Sequence, residues 1–167
     1  MYNNCMGKEI EFKYLVKELP FNMENYKSSK IEQVYLDIPN ADKDKTYRLR
    51  KMDNKLFYCE KGNGLVSRDE FEIEITKEKY DSLIQFAANN VIRKTRYFIP
   101  LGYDNLVAEL DIYYDKLEGL KTVEVEFKED YDLSSFVPPS WFGRDVTSEP
   151  KFKNANLAKI ETISSLY

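Results

Sequence analysis

Histidine is absent from this 167-residue chain, which removes imidazole general bases, Ser-His and Cys-His nucleophile pairs and His-rich zinc sites together. Carboxylates, Lys, Arg and Tyr are left to carry any chemistry. Cysteine is scarce: Cys5 and Cys59 stand alone, too few and too far apart for a Cys-x-x-Cys metal site or a disulfide framework. Glycine is thin as well. Gly62 and Gly64 lie close together, but no third glycine follows at dinucleotide-motif spacing and no Walker-type Gly-Lys-Ser/Thr occurs, so the familiar phosphate loops are excluded. No apolar run approaches a membrane span, and the start Met1-Tyr2-Asn3-Asn4 lacks a basic segment followed by an apolar stretch; a soluble, cytoplasmic protein with no membrane partner is expected. A large charge excess is also missing. Lys and Arg total 25 against 29 Asp and Glu, a net charge of -4, so no nucleic-acid partner is expected and any anion must be held by local clustering.

What the chain does have is apolar and aromatic material, 43% and 14% of its residues, enough for one core and one domain spanning 1–167. Most of it reads as short alternating segments: Glu9 to Val16, Ile31 to Asp37, Thr46 to Lys51, Leu56 to Lys61, Arg68 to Ile75, Val91 to Ile99, Leu106 to Tyr114 and Lys121 to Lys128. Turn residues such as Asp53-Asn54, Gly62-Asn63-Gly64 and Glu118-Gly119 separate them, which predicts antiparallel hairpins. Helical spacing of Tyr80, Leu83, Ile84 and Ala87 behind a capping Thr76 predicts a helix over Thr76 to Asn89. A second helix is predicted from Asn154 or Ala155 to the end, with Leu157, Ile160, Ile163 and Leu166 as its stripe. Asp130 to Pro150, with Pro138-Pro139, reads as irregular.

Side chains two apart on a strand share a face, and here the shared faces are charged. The rows are Glu9, Glu11 and Lys13; Arg48 and Arg50; Arg68, Glu70, Glu72 and Glu74; Lys94 and Arg96; Glu109 and Asp111; Glu124 and Glu126; Lys61 ends a further strand. The opposite faces are apolar, as in Ile10, Phe12, Tyr14 and Val123, Val125, Phe127. Like charges about 7 Å apart repel by roughly 0.6 kcal/mol in water and about 2.4 kcal/mol at an effective dielectric near 20. A ligand that offsets the repulsion accounts for so many such rows better than a solvated sheet does. If the strands close into a barrel, the charged faces meet in a water-filled lumen and the apolar exterior is covered by helices and loops. Lys13, Arg48, Arg50, Lys61, Lys94 and Arg96 would then suit a polyphosphate, and Glu9, Glu11, Glu124 and Glu126 a hard divalent cation such as Mg2+ or Mn2+.

Glu9-Ile10-Glu11-Phe12-Lys13 resembles the Glu-x-Glu-x-Lys signature of the CYTH superfamily, the triphosphate tunnel metalloenzymes. The ordered motifs that follow strengthen it: Gln33-Val34-Tyr35-Leu36, Arg48-Leu49-Arg50, Lys61-Gly62, Arg68-Asp69-Glu70-Phe71-Glu72, Lys94-Thr95-Arg96-Tyr97, Glu109-Leu110-Asp111, Glu124-Val125-Glu126, Asp145-Val146-Thr147 and Asn154-Ala155-Asn156-Leu157-Ala158. Departures are Val34 and Asp115 where the family usually has Gly, and Ser148-Glu149 where it usually has Gly-Asp.

The resemblance implies a mainly β (α+β) fold, an eight-stranded antiparallel tunnel with helices packed outside, and divalent-metal-dependent hydrolysis or rearrangement of a triphosphate. Carried over by position, it implies Glu9, Glu11, Glu124 and Glu126 as metal ligands; Lys13, Arg48, Arg50, Lys94, Arg96 and Lys151 as triphosphate binders; Lys61 and Tyr35 at the scissile phosphate; and Glu70, Glu72, Glu109 and Asp111 as further tunnel acids. Among family substrates, the short chain is most similar to bacterial tripolyphosphatase-like members. Adenylyl cyclisation, thiamine triphosphate or nucleoside triphosphate hydrolysis, and noncatalytic polyphosphate binding are the alternatives. The sequence leaves a homodimer open.

Overall fold

The computed structural model describes residues 5–20 and 22–167; Met1 to Asn4, expected to carry no export signal, lie outside the described residues. In chain order the elements are β1 (Cys5–Val16), β2 (Lys27–Leu36), β3 (Thr46–Met52), β4 (Lys55–Lys61), β5 (Ser67–Glu74), helix α1 (Lys77–Ile84), β6 (Ala87–Pro100), β7 (Val107–Tyr113), β8 (Lys121–Phe127), β9 (Phe142–Asp145) and helix α2 (Asn154–Leu157). The strands run β5-β4-β3-β2-β6-β7-β8-β1-β9, and β5 also pairs with β1. That pairing closes eight strands into an antiparallel barrel and leaves β9 as an addition. β1 makes the closure because it is long: Cys5 to Ile10 pair with β5, while Tyr14 and Val16 meet β9 farther along the same edge. Closure removes the exposed sheet edges that would otherwise invite aggregation.

Tight turns set the hairpins. Asp53 (φ 52°) links β3 to β4, and Asp115 (φ 56°) sits after β7 at the position where the family usually has Gly; Asp is among the few side chains that tolerate the left-handed region. Between β4 and β5, Gly64 has φ 150° and a Cβ there would lie 2.0 Å from the Ser67 carbonyl, so the turn requires glycine.

The apolar exterior is covered in two places. Helix α1, capped by Thr76 accepting from the Lys79 amide, lays Tyr80, Leu83 and Ile84 over Val34, Leu36 and Leu49. Val34 thus fills the outer cluster where the family usually has Gly. The outer face of β1, β7 and β8 is covered by the stretch after β8: Phe136 and Phe142 pack with Tyr14, Leu110, Val123, Val125 and Phe127.

Three elements differ from expectation. α1 ends at Ile84, because Ala87 to Asn89 pair into β6, Ala87 opposite Leu36; sheet pairing overrides the helical spacing. The final helix is a single turn, Asn154–Leu157, followed by a 3-10 turn at Ile163–Leu166. Thr162 accepts from the Ser164 amide, a local bond that competes with helix continuation. Within the stretch expected to be irregular lies β9, whose Gly143 lets its backbone approach β1: a Cβ would be 2.9 Å from the Leu15 carbonyl. Among the described residues, no helix is long and apolar enough to cross a membrane.

Candidate active site

The charged rows face inward. A chamber of about 260 Å3 is lined by Glu9, Glu11, Arg48, Arg50, Lys61, Arg68, Glu70, Glu72, Lys94, Arg96, Glu109, Glu124 and Glu126, with Ile31, Gln33 and Asn154 as uncharged members. It joins a vestibule of about 760 Å3 at Glu11, Arg48, Lys61, Arg68, Glu124 and Asn154, and Lys13 and Tyr35 line the vestibule side. Farther along the same strand faces the lumen turns apolar: Leu15, Tyr35, Ile92, Tyr113 and Leu120 pack against Val146, Phe152, Leu157, Ala158 and Leu166. The C-terminal segment therefore plugs one end of the barrel.

Register decides which charges meet. Opposite signs are partnered at Lys13–Glu124, Arg96–Asp111, Glu9–Arg68 and Lys61–Glu70. The ion pairs follow: Lys13 Nζ lies 2.8 Å from Glu124, Lys61 Nζ 2.6 Å from Glu9, Arg68 2.7 Å from Glu9 and 2.5 Å from Glu11, and Arg50 2.5 Å from Glu72. Lys94 donates to Asp111 at 2.5 Å, and Arg96 reaches Asp111 and Glu124 at 2.7 Å each and also Glu109. Like charges face each other at Glu11–Glu126 and Glu109–Glu124. All four of these acids stand on the wall formed by β1, β8 and β7, whereas Arg48, Arg50, Lys94 and Arg96 line β3 and β6. The wall of β1, β8 and β7 is mainly acidic, with Lys13 set among the acids, and that of β3 and β6 is basic.

Titration follows that division. Glu126 reaches the chamber's water, yet crowding by neighbouring atoms and the charges of Glu9, Glu109, Glu70 and Glu11 push its carboxyl up to about 7. Burial also raises Glu11, and Glu124 and Glu9 add to the effect. Burial acts on Glu124 in the same direction, but Lys13, Arg96 and Lys94 outweigh it and hold the carboxylate well below its ordinary range. Lys94 is pushed down to about 8 by burial and by Arg96, against the pull of Asp111. Lys61, although buried, is raised because Glu9 outweighs desolvation together with Glu70. Burial raises Tyr35, so it stays a phenol.

The donor set fits a hard cation. Glu9, Glu11, Glu124 and Glu126 offer only carboxylate oxygens, and Glu126, held high by crowding and by neighbouring acids, has no cationic partner of its own among the described residues. The fit requires exchange, because Glu9, Glu11 and Glu124 grip Lys61, Arg68, Lys13 and Arg96. Among the described residues, the three metal-type donors found within 4.8 Å of one another are Cys59, Glu70 and Glu72. That trio does not suit such a cation: burial pushes the Cys59 thiol up to about 11, and it donates to Glu70.

The structure places Lys151 away from the lumen. Its ammonium donates to the Leu166 carbonyl at 2.7 Å and lies over Phe152. Two residues on, Lys153 does line the vestibule and donates to the Gly64 carbonyl. The 3-10 turn at Pro150–Phe152 buries Phe152 and leaves Lys151 on its outer side, a rotation that sequence spacing does not reveal. Arg68 is visible in the sequence as one of a charged row, but its bridge between Glu9 and Glu11 follows from barrel closure. Asn154, whose Oδ1 accepts from Tyr113 at 2.7 Å, and Gln33 have no charge to mark them. Thr147 positions Lys13: its Oγ1 accepts from the Lys13 amide at 2.9 Å, while its own amide donates to Asp145.

Comparison with known proteins agrees with this geometry. An inorganic triphosphatase of Nitrosomonas europaea is 35% identical over 150 residues, covering 90% of this chain and 96% of the relative. An inorganic triphosphatase of Acetivibrio thermocellus is 32% identical over 157 residues, covering 92% and 95%. A crystal structure of an inorganic triphosphatase superposes with a TM-score of 0.67 at 32% identity, covering 92% of this chain and 96% of its own. The CYTH domain model matches residues 7–136, and with the closed, charge-lined barrel this places the chain in the CYTH domain family.

Proposed function

We propose that the chain hydrolyses inorganic triphosphate to diphosphate and phosphate with Mg2+ or Mn2+ as cofactor. The observation that carries this reading is the division of one lumen into a mainly acidic wall and a basic wall. Glu9, Glu11, Glu124 and Glu126 would hold the cation, which when bound screens phosphate charge and makes a water more acidic. Lys13, Arg48, Arg50, Lys94 and Arg96 bind the phosphate chain, with Arg forks engaging two oxygens at once. Glu72, Glu109 and Asp111 hold those cations in place, and Glu70 holds Lys61; Glu72, for example, fixes Arg50, and Asp111 fixes both Lys94 and Arg96.

Lys61 and Tyr35 act as donors in this reading. Glu9 keeps Lys61 protonated, and burial keeps Tyr35 a phenol, so both can stabilise charge on a departing phosphate oxygen and neither serves as a base. The reaction consumes one water, breaks one phosphoanhydride bond and releases a proton on forming diphosphate and hydrogen phosphate. It needs positioning and charge neutralisation with no covalent nucleophile, which a lumen without histidine supplies. Phosphate release from triphosphate, ATP and thiamine triphosphate, measured with Mg2+, with Mn2+ and with chelator, tests the proposal. Triphosphate turnover that stops in chelator is expected. Cyclic AMP as the main product from ATP, or binding of all three without release, would replace hydrolysis with cyclisation or simple binding.

A further inference from the structure

We propose that Gln33 recognises the chain end of the substrate, accepting a hydrogen bond from the hydroxyl of a singly protonated terminal phosphoryl group. The inference rests on the triphosphate reading and adds to it a residue that discriminates a phosphate terminus from an internal phosphate. Gln33 lines the narrow chamber and is 2% exposed, yet its Oε1 has no hydrogen-bond partner. Among the described residues, two other buried side-chain atoms are also unpartnered, the Nε of Arg48 and the Nε of Arg50. All three belong to one patch, because Gln33 is the register partner of Arg50, and its lumen-face neighbour Tyr35 is the register partner of Arg48.

Glu72 engages the outer ends of both guanidinium groups, at 2.5 Å for Arg50 and 3.5 Å for Arg48, which leaves each Nε pointed elsewhere. Buried polar atoms without partners are rare because each forfeits its hydration. One acceptor and two donors, buried without partners on neighbouring strand positions in a chamber that otherwise collects charge, define what completes them. Fully ionised phosphate oxygens satisfy the two Nε donors but offer nothing to Oε1. A terminal phosphoryl group carrying one proton satisfies all three, presenting oxygens to Arg48 and Arg50 and its P–OH to Gln33. An internal phosphoryl, with one fewer non-bridging oxygen and no hydroxyl, cannot.

The test uses the bismethylene analogue of triphosphate, in which CH2 replaces both bridging oxygens and so adds no bridging donor, in chelator so that turnover and metal play no part. Calorimetry in two buffers of different ionisation enthalpy, at a pH where the free terminal group has lost its last proton, reads both affinity and proton uptake. Gln33→Met keeps the length without hydrogen bonding, and Gln33→Asn keeps the amide but shortens its reach. Gln33→Met is expected to bind about tenfold more weakly, as loss of one hydrogen bond to a charged partner implies, and to take up fewer protons than wild type; Gln33→Asn should fall between them. Unchanged affinity and proton uptake in Gln33→Met would overturn the assignment, since a bridging water then suffices. A fall in kcat with analogue affinity and proton uptake intact would overturn it too, and make Gln33 a residue that orients water. Should Gln33→Met fail to fold, wild-type affinity and proton uptake in Gln33→Asn would overturn the assignment in its place. If wild type binds the analogue but does not cleave triphosphate, the hydrolase reading fails while the Gln33 assignment stands.

Discussion

Glu126 on β8 and Lys94 on β6, the two strands that flank β7, are displaced toward neutrality from opposite directions. Glu126, up to about 7, is protonated below that pH and then cannot serve as a metal ligand; Lys94, down to about 8, is neutral above that pH and then offers the phosphate chain no charge. The apparent metal requirement should therefore increase as pH falls below about 7, and the KM for triphosphate should rise above about 8, which initial-rate measurements at varied metal and varied substrate separate. A flat metal requirement from pH 8 down to 6 contradicts the Glu126 assignment. Glu126→Gln removes the charged ligand without changing its size, so turnover should collapse and metal titrations should shift; Arg50→Ala should act chiefly on KM. Individual charges of this kind are legible in a sequence because strand parity puts i and i+2 on one face. Lys151 shows the boundary of that rule: it lies in a 3-10 turn, where no two-residue period applies, and Lys153, two residues on, lines the vestibule while Lys151 does not. Gln33 carries no charge, so only its buried, unpartnered oxygen singles it out.

At the scale of elements, the strands were legible and the helices only partly so. Alternation of charge and apolar residue is a strong signal when one face meets a core and the other a lumen, and each of the eight barrel strands was read from it. Helical spacing misled at both predicted helices because the same apolar residues serve other contacts. Ala87 completes the pairing of β2, and Leu157 and Leu166 plug the barrel end. β9, four residues long, defines itself only against β1. The plug is also a lever on the site, since Phe152 anchors it with no exposure and Asn154 follows two residues later at the junction of chamber and vestibule. Phe152→Ala should cost about 3–5 kcal/mol by opening a cavity in that cluster, read as a lower urea midpoint at unchanged slope. Turnover should fall in parallel. Lys151→Ala, on the exposed side of the same turn, should alter neither stability nor KM appreciably; a marked KM increase would return Lys151 to the substrate.

Because the lumen's acids and cations are already paired, binding of metal or phosphate is predicted to proceed by exchange, and this predicts a substrate preference. Acids and cations inside the lumen hold each other, between adjacent strands for Lys13–Glu124 and Arg68–Glu11 and one strand farther for Lys61–Glu9 and Arg96–Glu124. A metal ion arriving alone must displace Lys or Arg from carboxylates, and a polyanion arriving alone must displace carboxylates from Arg and Lys; arriving together, each supplies the counter-charge that the other displaces. Metal should consequently tighten binding of the phosphate chain, and the chain should tighten binding of metal by the same factor. Recognition on these terms depends on the number of phosphate units that reach the basic wall. At 4 Å and an effective dielectric near 20, one ion pair contributes about 4 kcal/mol before desolvation is subtracted, so losing a charged unit is severe even after that subtraction. The charged chamber has about 260 Å3 and, apart from Ile31, no apolar lining residue; a nucleoside must stay in the vestibule, where Tyr47 and Phe152 are set among lysines and carboxylates. Inorganic triphosphate presents the whole polyanion with no organic group to accommodate. The expected order of kcat/KM with a fixed metal is triphosphate above ATP and thiamine triphosphate, with diphosphate far below. Preference for ATP over triphosphate would mean that the vestibule reads a nucleoside and that charge matching alone does not set specificity; alanine substitution of Tyr47 would then locate the base contact, lowering kcat/KM for ATP while leaving triphosphate unaffected.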